Sequence, residues 1–386
     1  MMRDFPTKAQ IVIIGGGVMG ASTAYHLAVR GVKDIVLLEK QSLFGMGATG
    51  KCAGGVRYQF STEINIRLSQ HSLPMLDRFP DEIGQEIDRR KTGYLFLLTR
   101  QANVERFKEI VALQHRLGVQ TEWLTGDEVR RRVPQLKTDD VLAGTNHPED
   151  GLADPNSVVN GYITAARRLG VQSFTDSPVR AIDLVKRGFS VQTPHGAIAC
   201  EKIVNAAGPW SSPVSEMVGV PLPVKPVRQQ MLTTSPLPQI QPDFPFVIDF
   251  AQSLYFHREG EGLLTGMTNP NQPAGFDESV DEEWEFTHLE AAIARLPLLE
   301  TAGLQSHWAG LYEVTPDAHP IISAIAEQPG YYVVTGFSGH GFMHGPIAGL
   351  LLTEIILDGQ AHTLNISRLA YDRFSEEELT KEYNVI

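Results

Sequence analysis

The chain has 386 residues, of which 42% are hydrophobic and 20% charged, a composition that excludes wholesale disorder. Its 33 Lys and Arg against 45 Asp and Glu give a net charge of −12, which argues against nucleic acid or an anionic membrane as a partner. Because Cys52 and Cys200 are too few for a disulfide scaffold, and no apolar run is long enough for a signal peptide or a membrane span, we expect a cytoplasmic protein.

The first predicted elements form a strand, a glycine turn, a helix and a second strand. The run 11–14 is rich in β-branched residues, the turn follows at 15–20, and small apolar residues then recur at helical spacing as far as Ala28. Gly31 ends this helix, and the segment 34–39, with its four apolar residues 35–38, predicts a buried second strand.

The middle of the chain is richer in strands. The next predicted elements are a helix at 62–79, a strand at 93–99, a helix at 103–117, a short helix opened by a Thr125–Glu128 capping box, and a helix opened by Asp154 with Pro155. Strands are predicted at 177–183, 189–193 and 197–206. Four further β-rich segments between 224 and 268, separated by Pro and Gly, are typical of an antiparallel sheet.

Near the end, the strand that starts at 331 runs into a second glycine turn, and Pro346 is expected to open a helix over 347–357. Segments of α/β type therefore lie at both ends, with β-rich segments between them. This order predicts a discontinuous nucleotide-binding domain and an inserted, β-rich substrate domain. The predicted ranges are 1–90, 150–220 and 305–386 for the first domain, and 91–149 and 221–304 for the second.

The first glycine turn carries a dinucleotide-binding pattern. Gly15, Gly17 and Gly20 form G-x-G-x-x-G between a strand and a helix, where they allow a tight turn, close approach of a pyrophosphate and close packing of helix on strand. Glu39 lies about 20 residues further on, where a ribose hydroxyl needs an acceptor. The alternative is a purely structural turn. The pattern also fits NAD, so it does not by itself identify the dinucleotide.

Two other glycine-rich elements favour a flavin. They lie at 45–55, directly after Glu39, and at 336–341, near the other end of the chain. A three-ring head held between them would explain both, and the helix after Pro346 would direct its positive end at the reduced flavin. The alternative is two ordinary surface turns.

Six motifs, in order along nearly the whole chain, resemble a known family: GGGVMG, VLLEK, TGKCAGGVRYQFS, NAAGPWS, AGLYEVTPDAHPII and FSGHGFMHGPIAG. The chain resembles the FAD-dependent D-amino-acid oxidase (DAO) superfamily, especially the branch with the β subunits of sarcosine oxidase and proline dehydrogenase. The resemblance implies an α/β fold (α+β overall). It comprises a doubly wound FAD-binding Rossmann-type domain of the glutathione-reductase type and an antiparallel β substrate domain.

The resemblance also implies which residues contact FAD. The turn would hold the pyrophosphate, Glu39 and Lys40 the adenosine ribose, the 47–55 loop the isoalloxazine, and the second glycine turn the pyrimidine edge of the flavin. The implied residues are Gly15, Gly17, Val18, Met19, Gly20, Glu39, Lys40, Gly47, Ala48, Thr49, Lys51, Cys52, Gly54, Gly55, Val179, Ala207, Gly208, Gly339, His340, Gly341, Phe342 and Met343.

Departures from the family pattern bear on how the flavin is held. Gly310 stands where monomeric sarcosine oxidases attach flavin to a cysteine, and Cys52 where dimethylglycine-type dehydrogenases use a histidine. We therefore expect non-covalent FAD, with a thioether at Cys52 left open. His340 and His344 have a spacing that zinc ligands use on helices, but no general-base Glu lies between them, and no metal site is predicted.

The substrate residues are inferred in the same way. Tyr312 and Met343 replace the basic residues that hold the substrate carboxylate in glycine oxidases and monomeric sarcosine oxidases, which leaves Arg57 as the candidate anchor; the alternative for Arg57 is a surface salt bridge. Tyr255 is a candidate substrate contact. His340 is a candidate donor to the flavin, or a loop histidine bonded to the backbone.

These residues predict oxidation of an α-amino acid or N-methyl amino acid of the proline, sarcosine or glycine type. A hydride would pass from Cα to flavin N5 and give an imine. Two alternatives stay open: a catalytic subunit that passes electrons to a partner, and a flavoprotein with a structural or assembly role. A hetero-oligomer, a homo-oligomer, and oxygen or another electron acceptor are all compatible with the sequence. By the same resemblance, a lysine that promotes the oxygen reaction in monomeric sarcosine oxidases would fall near Leu264, and its absence weakens the case for an efficient oxidase without excluding one.

Overall fold

The computed structural model describes residues 5–375 and 379–385. In chain order its strands and helices are β1 Lys8–Ile14, α1 Val18–Val29, β2 Ile35–Leu38, β3 Gly55–Val56, α2 Glu63–Asp77, α3 Phe79–Ile83, β4 Tyr94–Leu98, α4 Gln101–Arg116, β5 Glu122–Thr125, α5 Gly126–Arg132, β6 Ala143–His147, β7 Gly151–Leu152, α6 Pro155–Arg168, β8 Gln172–Phe174, β9 Ala181–Leu184, β10 Phe189–Thr193, β11 Gly196–Asn205, α7 Ser211–Glu216, β12 Lys225–Thr234, β13 Phe246–Asp249, β14 Leu254–Glu259, β15 Gly262–Met267, α8 Glu282–Arg295, β16 Leu304–Val314, β17 Ile321–Ala324, β18 Tyr331–Thr335 and α9 Gly341–Asp358.

The first sheet has a parallel centre that is buried on both faces. Its order is β17-β18-β11-β1-β2-β8, and β10 and β9 extend it in antiparallel fashion from β11. Ile11 and Ile13 of β1 face the core that contains α1, α6 and α9, whereas Val12 and Ile14 face a second core on the other side. Burial on both faces is why β1 and β2 read as continuous apolar runs.

The second sheet has the order β16-β12-β15-β14-β13-β4-β6-β5. Its pairs are antiparallel except for β13 with β4, which run parallel, so the predicted antiparallel sheet is corrected at this one pair. The two strands come from different parts of the chain, 94–98 and 246–249, so no hairpin fixes their relative direction. The two sheets together confirm the predicted α/β fold class.

The second sheet also crosses a predicted domain boundary. β16 lies at 304–314 and pairs with β12 along its length, although the predicted boundary assigns residues from 305 onward to the nucleotide-binding domain. The long β12–β16 ladder therefore carries the chain from the second sheet back to the first. The division into two domains itself stays a prediction.

Two predicted N-caps are confirmed. The Thr125 hydroxyl accepts a hydrogen bond from the Glu128 N–H, and the Glu128 carboxylate accepts one from the Thr125 N–H in return. The Asp154 carboxylate caps α6 ahead of Pro155. The strand predicted at 177–183 forms only from Ala181, after the turn that contains Pro178.

The start of α9 differs from the prediction. The helix begins at Gly341, with His340 as its N-cap, so Pro346 lies inside the helix instead of opening it. The Cβ positions of Gly345 and Gly349 meet Val18 and Ser22 of α1, and this close packing holds α9 against α1 in spite of the missing Pro346 N–H. The N-terminus of α9 therefore lies within the second glycine turn. No helix in the described ranges is long and apolar enough to cross a membrane.

Candidate cofactor and substrate site

A large cavity lies where the carboxyl ends of β1, β2 and β11 meet the second sheet. It encloses about 1870 Å³ of empty space, part of which is open to solvent. Ligands of doubly wound sheets bind at this edge, outside the carboxyl ends of the strands. Every residue predicted to contact FAD lines the cavity except Gly20 and Lys51, and Arg57 and Tyr255 line it as well. Their contacts with a cofactor stay a prediction.

The first glycine turn is packed too closely for side chains. Gly15 has a φ of +110°, and a Cβ there would overlap the carbonyl of Ala206, directly after β11. A Cβ on Gly20 would overlap the Gly15 carbonyl oxygen. Gly20 thus lies beneath the turn and brings α1 against β1, a packing role that does not require it to face the cavity.

The N-terminus of α1 is suited to an anion. No side chain caps the helix, and its first turn contains no acidic residue. The Val18 N–H is 3.2 Å from the Thr49 hydroxyl, and the following N–H groups of the first turn have no partner within the helix. An uncapped helix start at a glycine turn fits a pyrophosphate.

Glu39 is already oriented at the end of β2. One carboxylate oxygen accepts from the Gly16 N–H at 2.7 Å, and the other accepts from the Gln41 N–H at 2.9 Å. Next to it, the Lys40 ammonium lies 3.0 Å from the centroid of the Trp210 ring. Burial lowers the pKa of Lys40. These residues fit the adenosine end of a dinucleotide, and the sequence analysis missed Trp210.

The N-terminus of α9 is the second uncapped helix start at the cavity. Gly341, Phe342 and Met343 line the wall, and no acidic residue occurs in the first turn. The Ser22 hydroxyl of α1 donates to the Pro346 carbonyl at 3.2 Å, which fixes the two helices side by side. Two positive helix ends therefore face one cavity, as expected if one holds phosphate and the other the electron-rich edge of a flavin.

Arg57 is buried at the cavity wall, with 5% of its surface exposed. Its guanidinium donates to the carbonyl oxygens of Gln59 and Asn384 and lies 4.0 Å from the centroid of the Phe60 ring. Burial lowers the pKa of Arg57. Within residues 5–375 and 379–385 no carboxylate forms an ion pair with it, and its guanidinium hydrogen bonds there go to these two carbonyl oxygens.

The His340 side chain is bonded to the backbone, which is the second of the two alternatives given for it above. Its Nε2 is 3.1 Å from the Ala318 carbonyl, and its Nδ1 is 3.2 Å from Nδ1 of His344. Burial lowers the pKa of His340 to about 4, which keeps the ring neutral at neutral pH. In the described part of the chain no group of three metal-ligating side chains forms around this pair or elsewhere.

The wall of the cavity that the second sheet forms carries aromatic side chains. The Tyr255 side chain lies across Gly266 on the neighbouring strand, and burial raises its pKa well above the usual value. Tyr94 and Phe246 stack with ring centroids 4.1 Å apart beside it. The sequence analysis missed both, because only the parallel β13–β4 pairing brings them together.

The side chains of Lys51 and Cys52 point to different parts of the structure. The Lys51 stem packs over Gly310 and its ammonium lies 2.7 Å from the Glu278 carboxylate, so this side chain does not line the large cavity. Cys52 is half-buried at the cavity wall, and burial raises its pKa to about 12. At neutral pH Cys52 is therefore a thiol and a weak nucleophile.

Glu313 is a further cavity residue that the sequence analysis missed. Its carboxyl accepts from the Phe337 N–H at 3.3 Å and from the Thr335 hydroxyl at 3.0 Å, next to Gly208. Burial raises the pKa of Glu313 from 4.5 to about 7. An acidic residue among the apolar neighbours of a strand was the available signal, but the sequence alone did not show that its side chain points inward.

Glu313 is expected to make the stability of the FAD-free protein depend on pH. Because its pKa is higher in the folded than in the unfolded state, its contribution is full below about pH 4.5 and is lost as pH rises through about 7, for at most about 3 kcal/mol. Urea unfolding of the wild type and of Glu313→Gln between pH 5 and 8 tests this. The variant should gain stability relative to the wild type as pH rises, and a constant difference would contradict the prediction.

The fold and the site together are typical of a dinucleotide-binding protein: two helix N-termini and the carboxylate of Glu39 meet at one cavity, and the buried Arg57 also lines it. The family profile described as DAO, FAD dependent oxidoreductase, matches residues 10–355. The chain therefore belongs to the DAO family of FAD-dependent oxidoreductases, which confirms the predicted resemblance and the predicted cofactor.

Individual relatives agree with this assignment. The chain is 31% identical to mitochondrial dimethylglycine dehydrogenase of Rattus norvegicus, over 92% of this chain and 44% of that protein. It is 30% identical to mitochondrial sarcosine dehydrogenase of Homo sapiens, over 100% of this chain and 45% of that protein. The chain thus spans less than half the length of these two enzymes. The crystal structure of L-proline dehydrogenase from P. horikoshii matches with a TM-score of 0.90 and 31% identity, over 97% of this chain and 100% of that one.

Proposed function

We propose that the protein oxidises an α-amino acid or N-methyl amino acid, of the proline, sarcosine or glycine type, at its C–N bond. The observation that carries this proposal is the buried Arg57 guanidinium, which lines the cavity and forms no ion pair with a carboxylate in the described ranges. A buried guanidinium without a direct ion-pair partner in those ranges favours an anionic ligand, and its fork geometry suits a carboxylate. The names of the dimethylglycine, sarcosine and proline dehydrogenases that resemble the chain support the same substrate class.

The other cavity residues indicate how the substrate would bind. Among the described lining residues the acidic side chains are Glu39 and Glu313, and both are engaged by N–H or hydroxyl donors near the nucleotide. No carboxylate is thus placed to hold an ammonium group at the aromatic wall, so the amine is expected to bind neutral, as a desolvated site favours. FAD, when bound, would supply the two-electron acceptor for the substrate's Cα hydride, so that oxidation of the C–N bond would give an imine.

The test is the visible spectrum of the purified protein, recorded anaerobically while proline, sarcosine and glycine are added in turn. Oxidised-flavin bands that bleach with one of them would support the proposal and identify the substrate. Bands that persist with every N-alkyl and cyclic amino acid tried would contradict it, and would favour the structural or assembly role. One sample distinguishes the enzyme from a flavoprotein with a structural or assembly role, because the spectrum records the amount of bound flavin separately from its reduction by the amino acid.

Partners belong to the same proposal. Transfer of electrons to a partner subunit in a hetero-oligomer stays a prediction, as do a homo-oligomer, oxygen as acceptor and a cytoplasmic location. Full turnover of the isolated chain with both a dye and oxygen would argue against a dedicated partner. Turnover with the dye alone would favour one.

We further propose that FAD is held without a covalent bond. Because burial raises the pKa of Cys52 to about 12, the thiol does not supply a thiolate for attachment at neutral pH. Precipitation with acid should release all of the flavin into the supernatant, from the wild type and from Cys52→Ala alike. Flavin retained in the wild-type pellet but released from the variant would instead identify a thioether at Cys52.

A further inference from the structure

The segment Glu382–Val385 lies against the substrate end of the cavity. Val385 lines the cavity wall, and the Asn384 carbonyl accepts one of the two hydrogen bonds that the Arg57 guanidinium makes to described residues. Asn384 is fully buried. A segment more than 300 residues away in sequence thus contributes directly to the position of the candidate carboxylate anchor.

Glu382 fixes this segment in place. One carboxylate oxygen accepts from the Ser61 N–H at 2.7 Å, from the Ser61 hydroxyl and from the Asn384 N–H at 3.0 Å. The other accepts from the Thr62 N–H at 3.1 Å, the Thr62 hydroxyl at 2.6 Å and the Asn65 amide at 3.0 Å. Burial alone would raise the pKa of Glu382, but these hydrogen bonds outweigh it and lower the pKa, so the group is ionised.

Tyr383 attaches the segment to the second sheet. Its N–H donates to the Ser61 hydroxyl at 2.7 Å, and its own hydroxyl donates to the Asn103 side chain of α4 at 3.1 Å. Its ring centroid lies 5.3 Å from that of Phe250, directly after β13. The segment therefore joins the loop before α2 to the substrate side of the fold, and Arg57 lies beneath it.

We propose that the 382–385 segment is a positioning element of the substrate site. Glu382 holds the segment, the Asn384 carbonyl then orients the Arg57 guanidinium so that its remaining donors face the cavity, and Val385 limits the space next to it. A free arginine side chain loses rotamer entropy on binding, and a guanidinium that is already fixed has lost most of this entropy before the substrate arrives. This inference rests on the proposed function in one respect only, namely that the anion at Arg57 is the substrate carboxylate.

The first test is Glu382→Gln. An amide N–H₂ then replaces one carboxylate oxygen and faces N–H and O–H donors, from which it cannot accept hydrogen bonds. In the FAD-loaded protein we expect KM for the amino acid to rise about tenfold or more, with kcat changed much less, since a lost buried hydrogen-bond set of this kind costs at least about 1.4 kcal/mol. The arginine reagent phenylglyoxal should modify Arg57 faster than in the wild type, as measured by peptide mass spectrometry.

Glu354→Gln is the matched control. Glu354 is also a buried carboxylate that holds a late segment of the chain, accepting from the His362 N–H at 2.7 Å and the Thr363 N–H at 3.0 Å, but it lies on α9 and does not line the cavity. It should lower the thermal midpoint without changing KM or the labelling of Arg57. If Glu382→Gln behaves in the same way, the proposal is wrong.

If the Glu382→Gln protein does not fold, Val385→Phe provides a second test of the segment. The larger side chain leaves Glu382 in place and reduces the space in the cavity, so kcat/KM should fall more for the bulkier of two amino acids than for the smaller. An equal effect on both would overturn the role of Val385. If no amino acid bleaches the wild-type flavin, the proposed function fails, whereas the labelling of Arg57 still decides whether the segment positions that side chain.

Discussion

Replacing Arg57 by alanine is expected to lower kcat/KM for the amino-acid substrate by about 100- to 1,000-fold, mainly through KM. The guanidinium is buried, fixed by two carbonyl oxygens and stacked on Phe60, so no water or other side chain takes over its role when it is removed. Loss of one partner of a desolvated charge pair costs about 3–4 kcal/mol, which corresponds to this range. Anaerobic reduction of the flavin at increasing substrate concentration measures the effect.

Arg57→Lys is the matched variant for this measurement. It keeps the charge but loses the fork that can hold both carboxylate oxygens, so its KM should lie between those of the wild type and Arg57→Ala. Flavin content and thermal midpoint are recorded for all three proteins to separate binding from folding. An unchanged KM in a folded, flavin-loaded Arg57→Ala protein would show that another residue holds the substrate.

Gly20→Ala is expected to remove most of the bound FAD. A Cβ at this position would overlap the Gly15 carbonyl oxygen and approach Ile13, so α1 must move away from the turn that it supports. Overpacking of this kind costs about 1–3 kcal/mol of folding free energy, and the same movement displaces the first-turn N–H groups from the pyrophosphate position. The ratio of flavin to protein absorbance after purification, and the thermal midpoint of the FAD-free protein, measure the two effects.

Gly275→Ala provides the control for adding a methyl group. Gly275 has no atom within 4 Å of its Cβ position and no positive φ, so alanine there is expected to leave flavin content and stability unchanged. Full flavin content in Gly20→Ala, equal to that of Gly275→Ala, would mean that α1 tolerates displacement and that the third glycine of the turn is dispensable.

Features that are specified by residues close together in the sequence were predictable. The glycine turn, the capping box at Thr125 and the N-cap at Asp154 involve residues within about four positions of one another, and local backbone chemistry specifies them. The start of α9 was predicted wrongly because that prediction used local chemistry alone. Local preference places Pro346 in the first helical turn, whereas packing of Gly345 and Gly349 against α1 maintains a helix that begins at Gly341.

The sequence by itself determined the dinucleotide turn, Glu39, the family and its cofactor, because glycine spacing and strand–helix alternation are written in consecutive residues. Only the tertiary structure decided the substrate end of the cavity. There Tyr94 meets Phe246, Glu313 turns inward, and the 382–385 segment closes over Arg57. These contacts join residues up to about 330 positions apart, and no local pattern encodes them, since they arise only when buried groups must find partners in the folded chain.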